Sequence, residues 1–334
     1  MKKVVDDPRL IYKCCYLYYK ENLSQAQICD QLGVSRATVS RLLKAGREKE
    51  IVRIDLYNPD SVVYGKLEQE LEQRFGLKEI IIVDELEVGS DYEHMQQINQ
   101  AAIDYLSRTL HEGDYVGVGM GHTLYNIATQ TSPVDEINCT FVPVNGGIGT
   151  VLQSSTRGGN FANDVANAFA QKFHGNAIQF FAPAIFDDIN VMKGLNKEQP
   201  IKQVTSLFKK LDFVIMGLGT PRAKESTIVR SGYLTEEQFN AYQNKGAVGD
   251  YLLNFFDING DTSPFHEFNS HVMGISEEDF MNIRTRIAIA AGADKGICAL
   301  GALKAHKINV LITDINCINR LLEALEKEER GCNS

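Results

Sequence analysis

Apolar positions in the first fifty residues recur at helical intervals. In "SQAQICDQLGVSRATVSRLLK" (24–44), Ile28 and Leu32 fall one turn apart, and Val39, Leu42 and Leu43 share a second stripe. Ser24, with Gln27 three residues on, has the form of a capping box. Gly33 permits a sharp turn, and Ser35 caps the second helix. The spacing predicts two short helices joined by a glycine turn, the helix-turn-helix arrangement. Upstream, "RLIYKCCYLYYKENLS" (9–24) predicts an aromatic helix whose tyrosines serve packing. Downstream, "GREKEIVRIDL" (46–56) predicts a strand from Ile51 to Leu56, consistent with a wing.

Beyond the breaker-rich "YNPDSVVYG" (57–65) the pattern changes. "KLEQELEQRFGL" carries Leu67, Leu71 and Phe75 at steps of four. That stripe either docks on its own domain or pairs with another subunit. Apolar strands then alternate with amphipathic helices. "EIIIVDEL", "DYVGVG", "CTFVPV", "AIQFFAPAI", "DFVIMGLG", "RTRIAIAAG" and "KINVLITD" read as strands. Helices are expected at 92–110, after Gly121, over 161–173 and in "INRLLEALEKEER". This alternation predicts an α/β fold with a mostly parallel sheet covered on both faces. The expected division is a helix-turn-helix domain over 1–57 and a larger ligand-binding and oligomerisation domain over 58–334.

Composition narrows the class. No stretch approaches the roughly 20 apolar residues of a membrane helix, and "MKKVVDDPRL" lacks the form of a signal peptide. The seven cysteines show no CxxC spacing and no metal-ligand pattern, which fits a reduced, cytoplasmic chain with no membrane partner. No cofactor is called for. The net charge of −9 is unevenly spread: residues 1–57 hold 11 Lys/Arg and 7 Asp/Glu, so +4, and the remainder carries −13. A basic head on an acidic body suits a head that meets DNA.

The head's polar face supports that reading. Arg36, Ser40 and Lys44 recur every four residues, with Ala37 and Arg41 beside them and Ser35 and Thr38 at the helix start. Arg can read a guanine edge through two bonds, and Ser and Thr reach phosphates or bases. The alternative is a solvated amphipathic hairpin; caps, turn glycine, apolar spacing and polar face agree against it.

In the body, "GVGMGHT" (117–123) ends a strand and opens a helix. Such a turn is either simply tight or a cradle whose free N–H groups bind an anion. It is not a dinucleotide fingerprint, because His122 stands where the third glycine would be. "NGGIG" (145–149) and "GLGT" (217–220) occupy equivalent places, which favours one shared pocket. The residues expected there are Gly119, Gly121, His122, Thr123, Asn145, Gly146, Gly147 and Gly219. Lys295, in "AGADKG", is either a surface lysine or the cation opposite a phosphate. Asp250, in "KGAVGDYLLNFF", is either a helix cap or an acceptor for sugar hydroxyls.

In order, "SQAQICDQLGVSRATVSRLLKAGREKEIVRIDL", "GVGMGHT", "GGIG", "GLGT", "IVRSGYLTEEQ", "KGAVGDYLLNFFDINGD" and "AGADKG" resemble the SorC family of bacterial sugar-responsive transcription regulators over almost the whole chain. The resemblance implies a body related to phosphosugar isomerases, a phosphorylated sugar as effector, operator DNA as partner, and dimers or tetramers. It implies phosphate contacts from Gly119, Gly121, His122, Thr123 and Lys295, with Asp250 on the sugar. Asn145 and "VLQSSTRGGN" leave the sugar open. A second reading is a sugar-phosphate isomerase or lactonase using His122, Asp250, His266 or His271, but no acid–base constellation is legible and the basic head would be unexplained. A nucleotide-binding redox protein is disfavoured by the missing glycine fingerprint and ribose-binding acid.

Overall fold

The computed structural model describes residues 7–53, 63–84, 91–147, 161–219 and 222–331. The chain divides into two compact units, Met1–Val63 and Tyr64–Ser334.

The first unit holds α1 (Pro8–Tyr19), α2 (Gln25–Leu32) and α3 (Arg36–Glu48). The capping box forms as spaced: Ser24 N–H donates to Gln27 Oε1 at 2.9 Å, and Gln27 N–H to Ser24 Oγ. Gly33 ends α2 at φ +64°, a left-handed position that costs glycine nothing. Ser35 Oγ accepts from Thr38 N–H and opens α3. Ile11, Cys14 and Leu17 of α1 meet Ile28, Val39, Leu42 and Leu43 in a closed core. A Cβ on Gly46 would lie 2.3 Å from Cys15 Sγ, so α1 and α3 touch only because that side chain is absent. Two expectations are corrected. Tyr12 and Tyr16 lie outside this core, 60% and 45% exposed, because they fall on the outward side of α1. Residues 51–53 form no strand, and the rest of the expected wing lies outside the described residues.

The second unit is a seven-stranded parallel sheet. Its strands are β1 (Glu79–Val83), β2 (Tyr115–Val118), β3 (Thr140–Pro143), β4 (Asn176–Ala177), β5 (Phe213–Gly217), β8 (Thr285–Ala290) and β9 (Val310–Asp314). A separate antiparallel hairpin pairs β6 (Gly249–Tyr251) with β7 (Asn254–Phe256). The sheet order is β1-β9-β8-β5-β2-β3-β4. From β2 the chain builds outward through β3 to β4; from β5 it builds the other way through β8 and β9. The direction therefore reverses between the neighbours β2 and β5.

Alternation along each strand sends side chains to opposite faces. Val116, Val118, Ile215, Ile287 and Ile312 pack with α5 (Asp91–Thr109), α6 (His122–Thr129) and α7 (Ala162–Phe173). Ile80, Ile82, Val142, Val214, Met216, Ala288 and Leu311 face α4 (Gly65–Phe75) and the helices Gly296–Lys304 and Ile315–Gly331. Of "AIQFFAPAI" only Ala177 joins a sheet strand, as the second residue of β4. Phe180 and Ala182 are buried within an irregular segment, which is why the run reads as a longer strand.

The α4 stripe docks on its own domain: Leu71 and Phe75 are buried against the sheet. Its polar side has a second task. The edge strand β1 turns two N–H groups away from β9, and Glu72 accepts from Ile80 N–H at 3.0 Å while Glu68 accepts from Ile82 N–H at 2.8 Å. Two carboxylates thus close an edge that would otherwise template foreign strands. Among the described residues no helix is long and apolar enough to cross a membrane.

Glu72→Ala is expected to lower the body's stability by about 1–2 kcal/mol, the value of a partly buried hydrogen bond to a charged acceptor. Glu72→Gln, which keeps an acceptor oxygen, is expected to recover most of the loss. Urea denaturation midpoints check this; equal midpoints for wild type and Glu72→Ala contradict it.

Candidate functional site

A cleft of about 340 Å³ opens beside the C-terminal ends of β2 and β5, where the strand order reverses. Open α/β sheets bind ligands at such switch points. The loop after β2 forms one wall. Gly121 precedes α6 at φ +135°, and no side chain caps that helix. The first amides of α6, from His122 onward, therefore belong to an uncapped helix start, an anion-binding arrangement. Thr227 and Arg230 also line this end; a Cβ on Gly121 would lie 3.9 Å from Thr227 Oγ1. Partial burial pushes the His122 imidazole below its ordinary pKa, and the Arg230 charge adds to the effect.

Gly219, Asp250 and Lys295 also line the cleft. Asp250 is buried, and a Cβ on Gly219 would sit 1.7 Å from its Oδ2, so the carboxylate fits only against glycine. Gly219 N–H donates to Asp250 O at 2.6 Å and ties the β6–β7 hairpin to the end of β5. Lys295 Nζ donates to Leu218 O. Its turn is fixed from below by Asp314, at the end of β9, which accepts from Gly292 N–H at 2.7 Å. Burial pushes the Lys295 ammonium below the usual lysine range, against opposing pulls that include Cys298 and Asp250. Burial pushes the Asp250 carboxyl up to about 6, against the pull of Lys295 and a hydrogen bond from Leu253 N–H.

Asp250 caps no helix; it stands in β6. The turn beyond it is strained. Leu252 and Leu253 form a two-residue hairpin loop with φ +47° and +67°, values that leucine rarely adopts. Their side chains are buried, and an aromatic cluster of Phe239, Tyr242, Phe255 and Phe268 lies beneath, with ring centroids 5.0–5.4 Å from Phe255. The carbonyl of Leu252 accepts from both Asn145 Nδ2 at 3.1 Å and Asn254 Nδ2 at 3.0 Å.

Six of the ten expected pocket residues line this cleft: Gly121, His122, Thr123, Gly219, Asp250 and Lys295. Four do not. Gly119 lies under Leu252, whose Cδ2 would be 2.8 Å from an added Cβ. Asn145 is buried and holds the hairpin turn rather than facing the cleft. Gly146 and Gly147 are pressed on Pro183 O and the Asn163 amide, where a Cβ would come within 2.0 and 2.3 Å. Arg230, Thr227 and Glu225 line the cleft although the sequence pattern does not single them out. "IVRSGYLTEEQ" contains Arg230, but its short helices give no periodicity that points to a site. Of the other candidate histidines, His271 bonds through Nδ1 to Phe186 O, and His266 lines a different hollow. Of the four groups that could serve catalysis, only His122 and Asp250 share this cleft.

On the first unit, Ser35, Arg36, Ala37, Ser40, Arg41 and Lys44 of α3 and its cap are exposed. Thr38 is half-buried with its hydroxyl 2.9 Å from Ser35 Oγ, so it serves the cap first. Arg41 Nε rests on Ala37 O at 3.2 Å, and Lys44 pairs with Glu48 at 3.7 Å.

The Asp250 shift has a defined sign. Its folded pKa lies above the ordinary carboxylate value near 4, so folding opposes its ionisation. That cost is complete above about pH 6 and vanishes as pH falls toward 4. Relative to Asp250→Asn, wild type is therefore expected to gain about 2–3 kcal/mol of stability between pH 7 and pH 4. Denaturation of both proteins across that range checks it; a difference that is flat or opposite in sign contradicts it.

Comparison with known proteins agrees with this architecture. Residues 64–323 match a family model described as "Putative sugar-binding domain", and residues 13–49 match Sigma-70, region 4. The deoxyribonucleoside regulator of Bacillus subtilis is 31% identical over 320 residues, covering 95% of this chain and 98% of the relative. The sorbitol operon regulator of Klebsiella pneumoniae is 30% identical over 325 residues, covering 95% and 99%. The crystal structure of that full-length regulator, SorC, aligns with a TM-score of 0.67 at 30% identity, covering 95% of this chain and 99% of the other. The chain belongs to the SorC family of sugar-binding transcriptional regulators.

Proposed function

We propose that the chain is an operator-binding transcription regulator whose effector is a phosphorylated sugar held in the switch-point cleft, rather than an enzyme. The observation that supports this is the cleft's lining: an uncapped helix start, Thr227 and Arg230 together with a buried carboxylate and Lys295. The helix start, Thr227 and Arg230 offer backbone N–H groups, a hydroxyl and a guanidinium, the donors a phosphate needs. Lys295 adds a cation for the phosphate, as the family resemblance implies, and the Asp250 carboxylate accepts from sugar hydroxyls. Gly121, His122 and Thr123 supply the phosphate cradle; Gly219 gives Asp250 room to reach the sugar.

On the DNA side, Arg36, Ser40, Arg41 and Lys44 form the reading face of α3, with Ser35, Ala37 and Thr38 at its start. One such helix reads only a few base pairs, so the working form is at least a dimer on two related half-sites. The chain acts in the cytoplasm, where its operator lies. The effector changes operator affinity by binding the DNA-competent and DNA-incompetent arrangements unequally.

Two substitutions separate the two halves of this reading. Arg41→Ala is expected to weaken operator binding by about 1–3 kcal/mol while the sugar phosphate still binds. Arg230→Ala is expected to weaken the sugar phosphate by about 10- to 150-fold, the value of one charge-assisted hydrogen bond, while operator binding without effector is retained. Gel shifts and calorimetric titrations on both variants check this. Unphosphorylated sugars binding best, or turnover of sugar phosphates at enzyme-like rates of roughly 1–1000 per second, contradict it.

A further inference from the structure

The turn that carries Lys295 begins at Gly292, whose φ of +87° and ψ of +151° fall in a region that essentially only glycine enters. An added Cβ would meet nothing within 4 Å, so this glycine serves the backbone and not the packing. Glycine adopts many other conformations as readily. A turn built on it keeps one shape only if hydrogen bonds fix it. Within the turn, Lys295 N–H donates to Gly292 O at 3.0 Å. From outside, Gly292 N–H donates to Asp314 Oδ2 at 2.7 Å. The placement of Asp314 therefore bears directly on where Lys295 stands.

Asp314 ends β9 and is buried. Its Oδ1 accepts from Cys317 N–H at 2.7 Å, an ordinary cap for the helix Ile315–Gly331. Capping explains one oxygen only. Oδ2 meets Gly292 N–H and also His94 Nε2, 3.0 Å away. With Asp314 ionised its oxygens only accept, so Nε2 carries the proton and donates. His94 stands in the first turn of α5, which packs on the sheet face opposite the helix Ile315–Gly331. One buried carboxylate thus gathers donors from both helical layers. The ring is held there at a cost: Nδ1 is buried and has no hydrogen-bond partner among the described residues. Buried polar atoms are rarely left so. The ring keeps its bond to Asp314 although a more exposed setting would satisfy both nitrogens.

We propose that His94 is a positioning residue of the effector site: by holding Asp314 it fixes the Gly292 turn, and so the place from which Lys295 enters the cleft. The proposal rests on the reading of that cleft as the effector site. His94 does not itself line the cleft, so it acts through Asp314 and not by touching ligand. Without its donor, Asp314 keeps a buried charge with one bond fewer, and Oδ2 can turn away from Gly292. The turn then samples other conformations, and Lys295 is correctly placed in only a fraction of molecules. A competent state populated by that fraction lowers the apparent affinity in proportion.

The test compares His94→Gln with His94→Asn in the full-length chain. The Gln amide nitrogen can stand where Nε2 stands; the Asn amide, one methylene shorter, cannot reach Asp314. Should His94→Asn not fold, His94→Ser, which also lacks the reach, takes its place. Hydrogen exchange of the ligand-free protein, followed by mass spectrometry on peptides spanning Gly292, reads the turn directly. Exchange there is expected to be at least about fivefold faster in His94→Asn than in wild type or His94→Gln. Calorimetric titration with a panel of pentose and hexose phosphates reads the site. A sugar phosphate that binds wild type is expected to bind His94→Asn about fivefold or more weakly, and His94→Gln within about twofold. Combined with Lys295→Ala, His94→Asn is expected to cost less than about twofold, because the cation it positions is gone; a merely structural loss would keep its full size. Equal exchange in all three proteins, an Asn variant that binds like wild type, equal weakening by Asn and Gln, or an undiminished loss beside Lys295→Ala each overturns the proposal. Failure of the whole panel to bind wild type overturns the sugar-phosphate reading, and this proposal with it.

Discussion

The body is organised by one topological constraint: neighbouring strands β2 and β5 send the chain in opposite directions across the sheet. Their following loops must part, and a crevice opens at their C-terminal ends. An uncapped helix start and a buried carboxylate line that crevice. The loop after β2 turns straight into α6, so its first amides border the crevice. The loop after β5 accepts the β6–β7 hairpin through Gly219, and that hairpin delivers Asp250. The turn after β8 brings Lys295 across, held by Asp314 from the next strand.

The crevice is maintained at a cost to stability. Leucines at positive φ, each worth about 1–3 kcal/mol of strain, form the hairpin loop, and two asparagine amides and an aromatic cluster hold them there. A carboxyl whose ionisation folding opposes stands beside a lysine that burial also disfavours. Groups kept in such states within a cleft mark functional sites. A stability-optimised sequence would put Asn-Gly in the turn and an apolar residue in place of Asp250.

Much of this was legible in the sequence because local chemistry and fold agree. The Ser24–Gln27 box, Gly33 and Ser35 mark the ends of the head's helices by local chemistry. The apolar strands and the glycines after β2 and β5 announce the sheet and its crevice. What stayed hidden depends on contacts distant in sequence. "DYLLNFF" carries no glycine or asparagine in its turn positions to mark a hairpin, since the left-handed turn is imposed by burial. Asn145 looks like a ligand contact because it is polar at a strand end, yet its amide bonds to Leu252, far along the chain. Gly146 and Gly147 look like part of the shared pocket but are packed against Pro183 and Asn163. Arg230 and Glu225 lie in a segment of one-turn helices whose place at the cleft is set by the fold alone.

The central claim is that the phosphate lies on the start of α6 and the sugar on the Asp250 wall. A crystal structure grown with a sugar monophosphate that binds in solution tests it most directly. The account predicts phosphorus within hydrogen-bonding reach of the His122 and Thr123 amides and the Arg230 guanidinium, with sugar hydroxyls on Asp250. A phosphate remote from the start of α6, or a ligand outside this cleft, would contradict it.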